Sequence, residues 1–459
     1  MSYFESINPT TLETVCKREL DSDDIVAKKL QKANECYKNE WKKLSFKQRG
    51  DYLLRVAEVL RSDIDYYALP MTEEMGKPIK EARGEVEKAA WCAEHYAKSA
   101  EDYLAREYID SDATKSFVQY LPLGVVFGIL PWDAPFWLAS RFFSPALMAG
   151  NTCIMKHDPH VPECSRVIAE AFKKAGFPGG AFQEVLVDPS GAERIIKDDI
   201  IKAVSFTGSD RAGAKVASLA SSVIKPCVME LGGSDPSIIL SDANLEEAAD
   251  IVVLSRIINA GQSCIAAKRI IVEDGVYDEF VDMLKVRFEK LKMGDPKDES
   301  TDIGPIAREE LREGLHRQVE LSLKAGAKLL LGGEIPEQKG YFYPVTMLVD
   351  VKPDTVASCE ETFGPIAVVM RAKDSEDALN IANNTPYGLG ASVWTEVKRG
   401  EDMALSIESG QVSVNGIVKT DPRLPSGGVK RSGFGRELGE HGIKMFVNIQ
   451  QVWIGPKKA

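Results

Sequence analysis

No CxxC pair, no HExxH and no block of five or six like charges occurs in the 459 residues. Each absence closes off a class of function. The eight cysteines (Cys16, Cys36, Cys92, Cys153, Cys164, Cys227, Cys264 and Cys359) are scattered without regular spacing. That pattern suits neither a disulfide scaffold nor a zinc site. Of only five histidines, the close pair His157 and His160 is separated by Pro159, so no helical metal face forms and no metal is expected. A net charge of −12 opposes binding to nucleic acid or anionic lipid. Long apolar runs are lacking as well. The longest uncharged stretch, Ser116 to Trp132, is broken by Pro122, Gly124, Gly128 and Pro131, whereas a membrane span needs about 20 apolar residues. The opening MSYFESINPT lacks the basic, then apolar order of a secretory signal. A soluble, cytoplasmic protein with no nucleic-acid or membrane partner is expected.

What the chain does have is enough apolar content, 44%, to build two or three domains. Its first hundred residues read as helices. Asp24–Glu40, Ser45–Ser62 and Lys80–Tyr103 carry apolar residues at three- and four-residue spacing. Ser116–Tyr120 and Gly124–Leu130 read as strands joined at Pro122–Gly124 into a hairpin. Short apolar runs then alternate with helical stretches: Asn151–Lys156, Phe182–Val187 and Ala203–Phe206 as strands, with Cys164–Ala175, Gly191–Lys197 and Asp210–Leu219 as helices. The alternation resumes after Pro236, with strands at Pro236–Leu240, Arg269–Val272, Lys328–Leu331 and Thr346–Val349. Such a pattern predicts parallel sheets wrapped by crossover helices, in two successive α/β units with a cleft between them. The tail, Lys444–Trp453, alternates weakly and suits pairing at a sheet edge.

Three segments carry candidate chemistry. Ala203-Val-Ser-Phe-Thr-Gly-Ser209 runs from strand through turn to helix. It is either a generic α/β turn or a seat for a diphosphate, with Gly208 permitting the tight turn and Ser209 capping the helix. Glu230-Leu-Gly-Gly233 ends a strand-like run with a carboxylate beside two glycines; a capping or salt-bridged Glu is the blander reading. Cys264 sits in the small-residue loop Ala260-Gly-Gln-Ser-Cys-Ile-Ala266, where a thiolate gains from nearby backbone N–H groups. Together Glu230 and Cys264 read as a base and a nucleophile in separate glycine-bearing loops.

Here the residues resemble a family. The chain is similar from end to end to the NAD(P)-dependent aldehyde dehydrogenases, most of all their short succinate-semialdehyde dehydrogenase branch. The resemblance rests on Pro122-Leu-Gly-Val125, Ile129-Leu-Pro-Trp132, Pro145-Ala-Leu-Met-Ala-Gly-Asn151, Phe206-Thr-Gly-Ser209, Glu230-Leu-Gly-Gly233, Gly261-Gln-Ser-Cys264, Glu360-Glu-Thr-Phe-Gly-Pro365 and Pro425-Ser-Gly-Gly-Val-Lys430, in that order. It implies a Rossmann-like dinucleotide-binding domain (residues 1–113 and 127–231), an α/β catalytic domain (232–442) and a small β oligomerisation arm (114–126 and 443–459), in a homodimer or homotetramer. It also implies a reaction. Cys264 attacks the aldehyde to give a thiohemiacetal, hydride passes to NAD(P), and Glu230 activates the water that hydrolyses the thioester. The implied cofactor contacts are Lys156 to the adenosine ribose, Gly208 and Ser209 to the diphosphate, Leu231 to the nicotinamide amide and Glu361 to the nicotinamide ribose. Phe363 packs beside that ribose, with Ile129 and Trp132 in the cofactor wall.

The sequence departs from the family at one catalytic position. Where an Asn normally follows Pro131-Trp132 and donates to the oxyanion, this chain has Asp133. An ionised carboxylate cannot donate, and losing one such donor typically costs about 10²–10³ in rate; a protonated one can still donate. A retuned enzyme and a weakly active or inactive relative both remain open. Lys156-His157-Asp158-Pro159 lacks the acidic residue that NAD-specific relatives often carry three places after the lysine, which leans toward NADP, with Asp158 opposing a 2′-phosphate if it points inward. By the same resemblance Arg141 lies in the segment that lines the substrate tunnel, where it is either a clamp for a remote substrate carboxylate or a surface or interface arginine, with Arg423 and Arg256 as further candidates. Succinate semialdehyde then fits as substrate, with glyceraldehyde or lactaldehyde as the alternative. Transfer to coenzyme A is disfavoured by Glu230, which CoA-acylating relatives generally lack.

Overall fold

The computed structural model describes residues 3–456. Its N-terminal part is helical where apolar spacing predicts it: Asp23–Asn39, Phe46–Ser62 and Ile79–Tyr103, with a fourth helix at Ile64–Met75. Local chemistry fixes the starts. Ser22 caps the first helix, and Ser45 with Gln48 forms a reciprocal capping box on the second. A short hairpin, Tyr3–Ile7 with Thr14–Glu19, precedes them and escaped the all-helical reading. Its strands are only half-buried and carry no clean alternation.

Two sheets dominate. The first has six strands in the order Gly433–Phe434, Cys227–Glu230, Ile201–Thr207, Val125–Ile129, Thr152–Lys156, Phe182–Glu184. All are parallel except the two-residue edge strand. The second has seven: Lys328–Leu331, Thr346–Val349, Ile366–Ala372, Arg269–Glu273, Pro236–Ile239, Gly390–Trp394 and Gln411–Val414. Only Lys328–Leu331 runs antiparallel there. Each sheet has its own apolar core, as expected of parallel strands covered by helices on both faces.

The hairpin predicted across Pro122–Gly124 does not form. Ala113–Pro122 pairs along its length with the tail strand Val447–Pro456, in a three-stranded sheet with Glu107–Tyr108. Val125–Ile129 instead enters the middle of the six-stranded sheet. Burial explains the parting: Val125–Ile129 is apolar and buried throughout, whereas the strand before it is partly exposed. At the corner Asn151 Oδ1 accepts from the N–H groups of Leu123 and Gly124, at 2.8 and 3.0 Å. Gly124 has φ +141°, a region closed to side chains. The tail pairs at a sheet edge as its alternation suggested.

The helix Pro135–Met148 has no apolar stripe because every one of its residues is buried. It packs on Ile79–Tyr103, with Ser140 Oγ donating to the carbonyl of Ala89 at 2.9 Å.

Candidate active site

The carboxyl ends of the parallel strands in the six-stranded sheet open on one cleft of about 900 Å³, the place where α/β sheets bind ligands. Ile129, Lys156, Thr207 and Glu230 are each the last residue of a strand, and each lines it. Thirteen of the sequence-predicted residues meet there: Ile129, Trp132, Asp133, Lys156, Asp158, Pro159, Gly208, Ser209, Glu230, Leu231, Cys264, Glu361 and Phe363. His157, Arg141 and Arg423 do not.

The cleft wall suits a dinucleotide. Ser209 Oγ accepts from Ala212 N at 3.3 Å and caps the helix Asp210–Ser222, whose N-terminus faces the cleft. Gly232 approaches Glu361 so closely that a Cβ would lie 2.5 Å from Oε2. The Glu361 carboxylate is held in turn by Gly233 N and by Lys268 Nζ, each at 3.1 Å from Oε1. The Phe363 and Trp132 rings meet edge to face at 5.7 Å, with the Arg308 guanidinium over the Trp132 face. Asp158 is turned to His160, which reaches its Oδ1 through both backbone N and ring Nδ1, at 3.0 and 2.6 Å. Those contacts, outweighing burial, hold its carboxyl below the ordinary range.

Cys264 follows a strained turn. Asn259, Ala260 and Gly261 take φ values of +55°, +53° and +75° in succession. A Cβ at Gly261 would also meet the Gly364 carbonyl oxygen at 2.4 Å, so glycine is required. Buried donors and acceptors hold the turn. Asn259 N donates to Glu81 at 2.7 Å, and Asn259 Nδ2 donates to the carbonyls of Asp133 and Gln262. Arg256, a candidate substrate cation by sequence, is buried and donates to the Gly261 carbonyl at 2.7 Å, so it supports this loop. Lys268 Nζ donates to the Cys264 carbonyl at 2.6 Å. Burial and the neighbouring Asp133 push the Cys264 thiol up to about 12, while Lys268 and Arg141 pull the other way. A thiol held that high needs a base.

The base is at hand. Glu230 is buried, and burial raises its pKa while Arg141 opposes the rise. Its Oε2 accepts from Arg141 at 2.9 Å, whereas no donor among the described residues reaches Oε1. Gly427 packs against that oxygen, where a Cβ would sit only 2.6 Å away, so a side chain there would collide with the carboxylate.

Arg141 is therefore already paired within the protein through Nε and Nη2. Its buried guanidinium bridges Glu230 and Glu437, the latter at 2.6 Å, and also donates to Ser426 Oγ. A buried cation must be paired, and two turns along the Pro135–Met148 helix from Asp133 those carboxylates are its neighbours. Arg423 is also elsewhere: two-thirds exposed, paired with Asp421, its guanidinium over Trp91. His157 is buried away from the cleft, and burial pushes its ring down to about 4.

Asp133 lies on the cleft wall. Its backbone carbonyl accepts from Lys77 Nζ at 2.8 Å, and Lys77 pairs with Glu85. Glu85 Oε1 accepts from Phe136 N and Trp137 N, which fixes the start of the helix that follows Asp133. Burial lifts the Asp133 carboxyl to about 6 against the pull of Lys77. Lys77 and Glu437 went unread in the sequence because each reaches the site through partners distant along the chain; Lys268, four residues after Cys264, went unread although it reaches the nucleophile's own carbonyl.

The aldehyde dehydrogenase family matches residues 1–452. The chain belongs to that family. It is an NAD(P)-dependent oxidoreductase that oxidises an aldehyde. The chain is 46% identical over 450 residues to a probable succinate-semialdehyde dehydrogenase [NADP(+)] of Synechocystis sp., covering 98% of this chain and 99% of that one. A succinate-semialdehyde dehydrogenase [NADP(+)] of Mycobacterium avium is 43% identical, with 99% and 97% covered. Among solved structures, succinic semialdehyde dehydrogenase from Streptococcus pyogenes in complex with NADP+ superposes with a TM-score of 0.96 at 33% identity, over 98% and 100% of the two chains. Lactaldehyde dehydrogenase from Escherichia coli gives 0.96 at 30%, over 99% and 96%. The aldehyde dehydrogenase fold expected from the motifs is the fold observed.

Proposed function

We propose that this aldehyde dehydrogenase oxidises succinate semialdehyde or a similar small aldehyde, with NADP preferred to NAD. The observation that carries the reading is the single cleft. It holds Cys264 from a loop beside the seven-stranded sheet, Glu230 from a strand end of the six-stranded one, and the helix N-terminus at Ser209. Bound there, the nicotinamide cofactor accepts a hydride. Cys264 adds to the aldehyde carbon, with its proton passing to Glu230 Oε1. The Cys264 backbone N–H and a protonated Asp133 carboxyl donate to the resulting oxyanion. After releasing that proton to solvent, Glu230 takes a proton from the water that attacks the thioester, and the Cys264 sulfur leaves as the acid forms. Residues 1–113 and 127–231 serve the dinucleotide and 232–442 the chemistry. Residues 114–124 with 443–459 (of which 457–459 lie outside the described residues) join copies of the chain, whereas Val125 and Val126 belong to the six-stranded sheet. Exposed Leu121, Ile449, Trp453 and Ile454 supply apolar surface for that contact, so sedimentation should give a multiple of the 50.4 kDa chain mass.

Reduced-nicotinamide absorbance with an aldehyde panel and both cofactors tests the reading. The highest kcat/KM should fall to succinate semialdehyde with NADP. Preference for a hydroxyaldehyde such as lactaldehyde would shift the substrate, and no turnover with any aldehyde would leave the site inactive.

Cofactor choice has its own test. The cleft presents Lys156 and Lys215, while Asp158 is engaged with His160. Pro159→Glu adds a carboxylate on the same wall. It is expected to lower kcat/KM with NADP at least about tenfold, a change of about 1.4 kcal/mol, and to leave NAD nearly unaffected. An equal loss with both cofactors would show only local damage.

A further inference from the structure

With Arg141 already paired to two carboxylates and Arg423 exposed on Asp421, a cation that pairs with no carboxylate among the described residues stands out as a candidate for an acidic substrate. Lys88 lies on the helix face that serves the site. Glu81, Glu85 and Lys88 follow one another at four- and three-residue spacing along Ile79–Tyr103. Glu81 holds the nucleophile turn through Asn259, and Glu85 holds the start of the Pro135–Met148 helix. Next in the row, Lys88 Nζ rests 4.1 Å above the Trp137 ring and donates to Thr420 Oγ1 at 3.0 Å. Trp137 Nε1 donates to the same oxygen at 2.9 Å.

The cluster is unbalanced in a telling way. Thr420 Oγ1 already accepts two hydrogen bonds, so its hydroxyl proton is left to donate. Lys88 has two further N–H protons, and no carboxylate among the described residues lies within 4.0 Å of Nζ. Burial and the Arg141 charge push this ammonium down to about 8, against the pull of Glu85, Cys92 and Asp421. Donors gathered on one spot with no acceptor form a carboxylate seat. It is also near the chemistry. Glu85, three residues before Lys88, accepts from Trp137 N and pairs with Lys77, which donates to the Asp133 carbonyl at 2.8 Å. The Arg141 charge acts on both Lys88 and Cys264.

We infer that Lys88 and Thr420, backed by Trp137, bind the remote carboxylate of the aldehyde substrate. The inference rests on the acidic-aldehyde reading above. Lys88→Met keeps the stem over Trp137 and removes the charge. It is expected to raise KM for succinate semialdehyde by about 10–100-fold, as for loss of a charge-assisted hydrogen bond. It should leave kcat within about threefold and KM for butanal unchanged, and Lys88→Arg should recover most of the loss. Equal effects on both aldehydes, or none on either, would overturn the role of Lys88 while leaving the substrate class standing. A wild type that does not prefer succinate semialdehyde to butanal would overturn the acidic-aldehyde reading and this seat together.

Discussion

Asp133→Asn is expected to speed the first turnover about tenfold at pH 7, about a hundredfold at pH 8, and hardly at all at pH 5. The argument starts from the carboxyl group, which burial lifts to about 6. Below that value Asp133 carries a proton and can donate to the oxyanion; above it, the carboxylate repels the oxyanion. With an ordinary single titration, about one molecule in eleven is competent at pH 7 and about one in a hundred at pH 8. An amide donates at every pH, so the ratio of variant to wild-type rate climbs through pH 6. It should level off near the 10²–10³ that one oxyanion donor is typically worth. A second effect has the same sign. The Asp133 charge helps to push the Cys264 thiol up to about 12, and its removal makes the thiolate easier to form. The measurement is the burst of reduced nicotinamide in stopped flow, with variant and wild type compared at each pH. A flat ratio would mean that the Asp133 carboxyl does not face the reacting oxygen, and a ratio below one that the carboxylate aids catalysis.

The legible parts of this site are those in which local sequence determines local geometry. Phe206-Thr-Gly-Ser209 is a strand end, a turn and a capped helix start, three features read from neighbouring residues, and all of them appear in the cleft wall. Glu230 and Cys264 stood out because glycine and small residues surround them. Arg141 could be read only as an arginine in an apolar segment, because its partners cannot be seen in the sequence. Glu230 and Glu437 come to it only through folding, and a buried guanidinium between two carboxylates has no local signature. The same limit hid the helix Pro135–Met148: a helix buried on all sides has no 3.6-residue stripe to detect. Lys88 looked like any solvated lysine of a charged helix until Trp137 and Thr420 were placed against it. The predicted hairpin failed for a related reason. A turn-like Pro-Leu-Gly marks a change of direction, but not which sheet the next strand will join.

Glu230→Gln is expected to slow both the burst of reduced nicotinamide and the turnover that follows it, each by about 10²–10⁴, the usual worth of a positioned general base. The two oxygens of Glu230 divide the work. Oε2 is tied to Arg141, while Oε1 has no donor among the described residues and lies against Gly427. A glutamine can keep the first contact through its carbonyl oxygen, and its amide nitrogen cannot accept the proton of an attacking water. Arg141 retains Glu437 as its charge partner at 2.6 Å, so the variant should melt close to the wild type. The pH profile supplies the sign. Burial raises the pKa of Glu230 above the ordinary carboxylate range, and its working form is the deprotonated one. Wild-type turnover should therefore fall as pH drops through that raised value, and the variant should lose this acid limb. Turnover unchanged by the substitution would remove Glu230 from thioester hydrolysis. A burst at the wild-type rate followed by slow turnover would confine Glu230 to thioester hydrolysis and remove it from the deprotonation of Cys264, whose thiol stands at about 12.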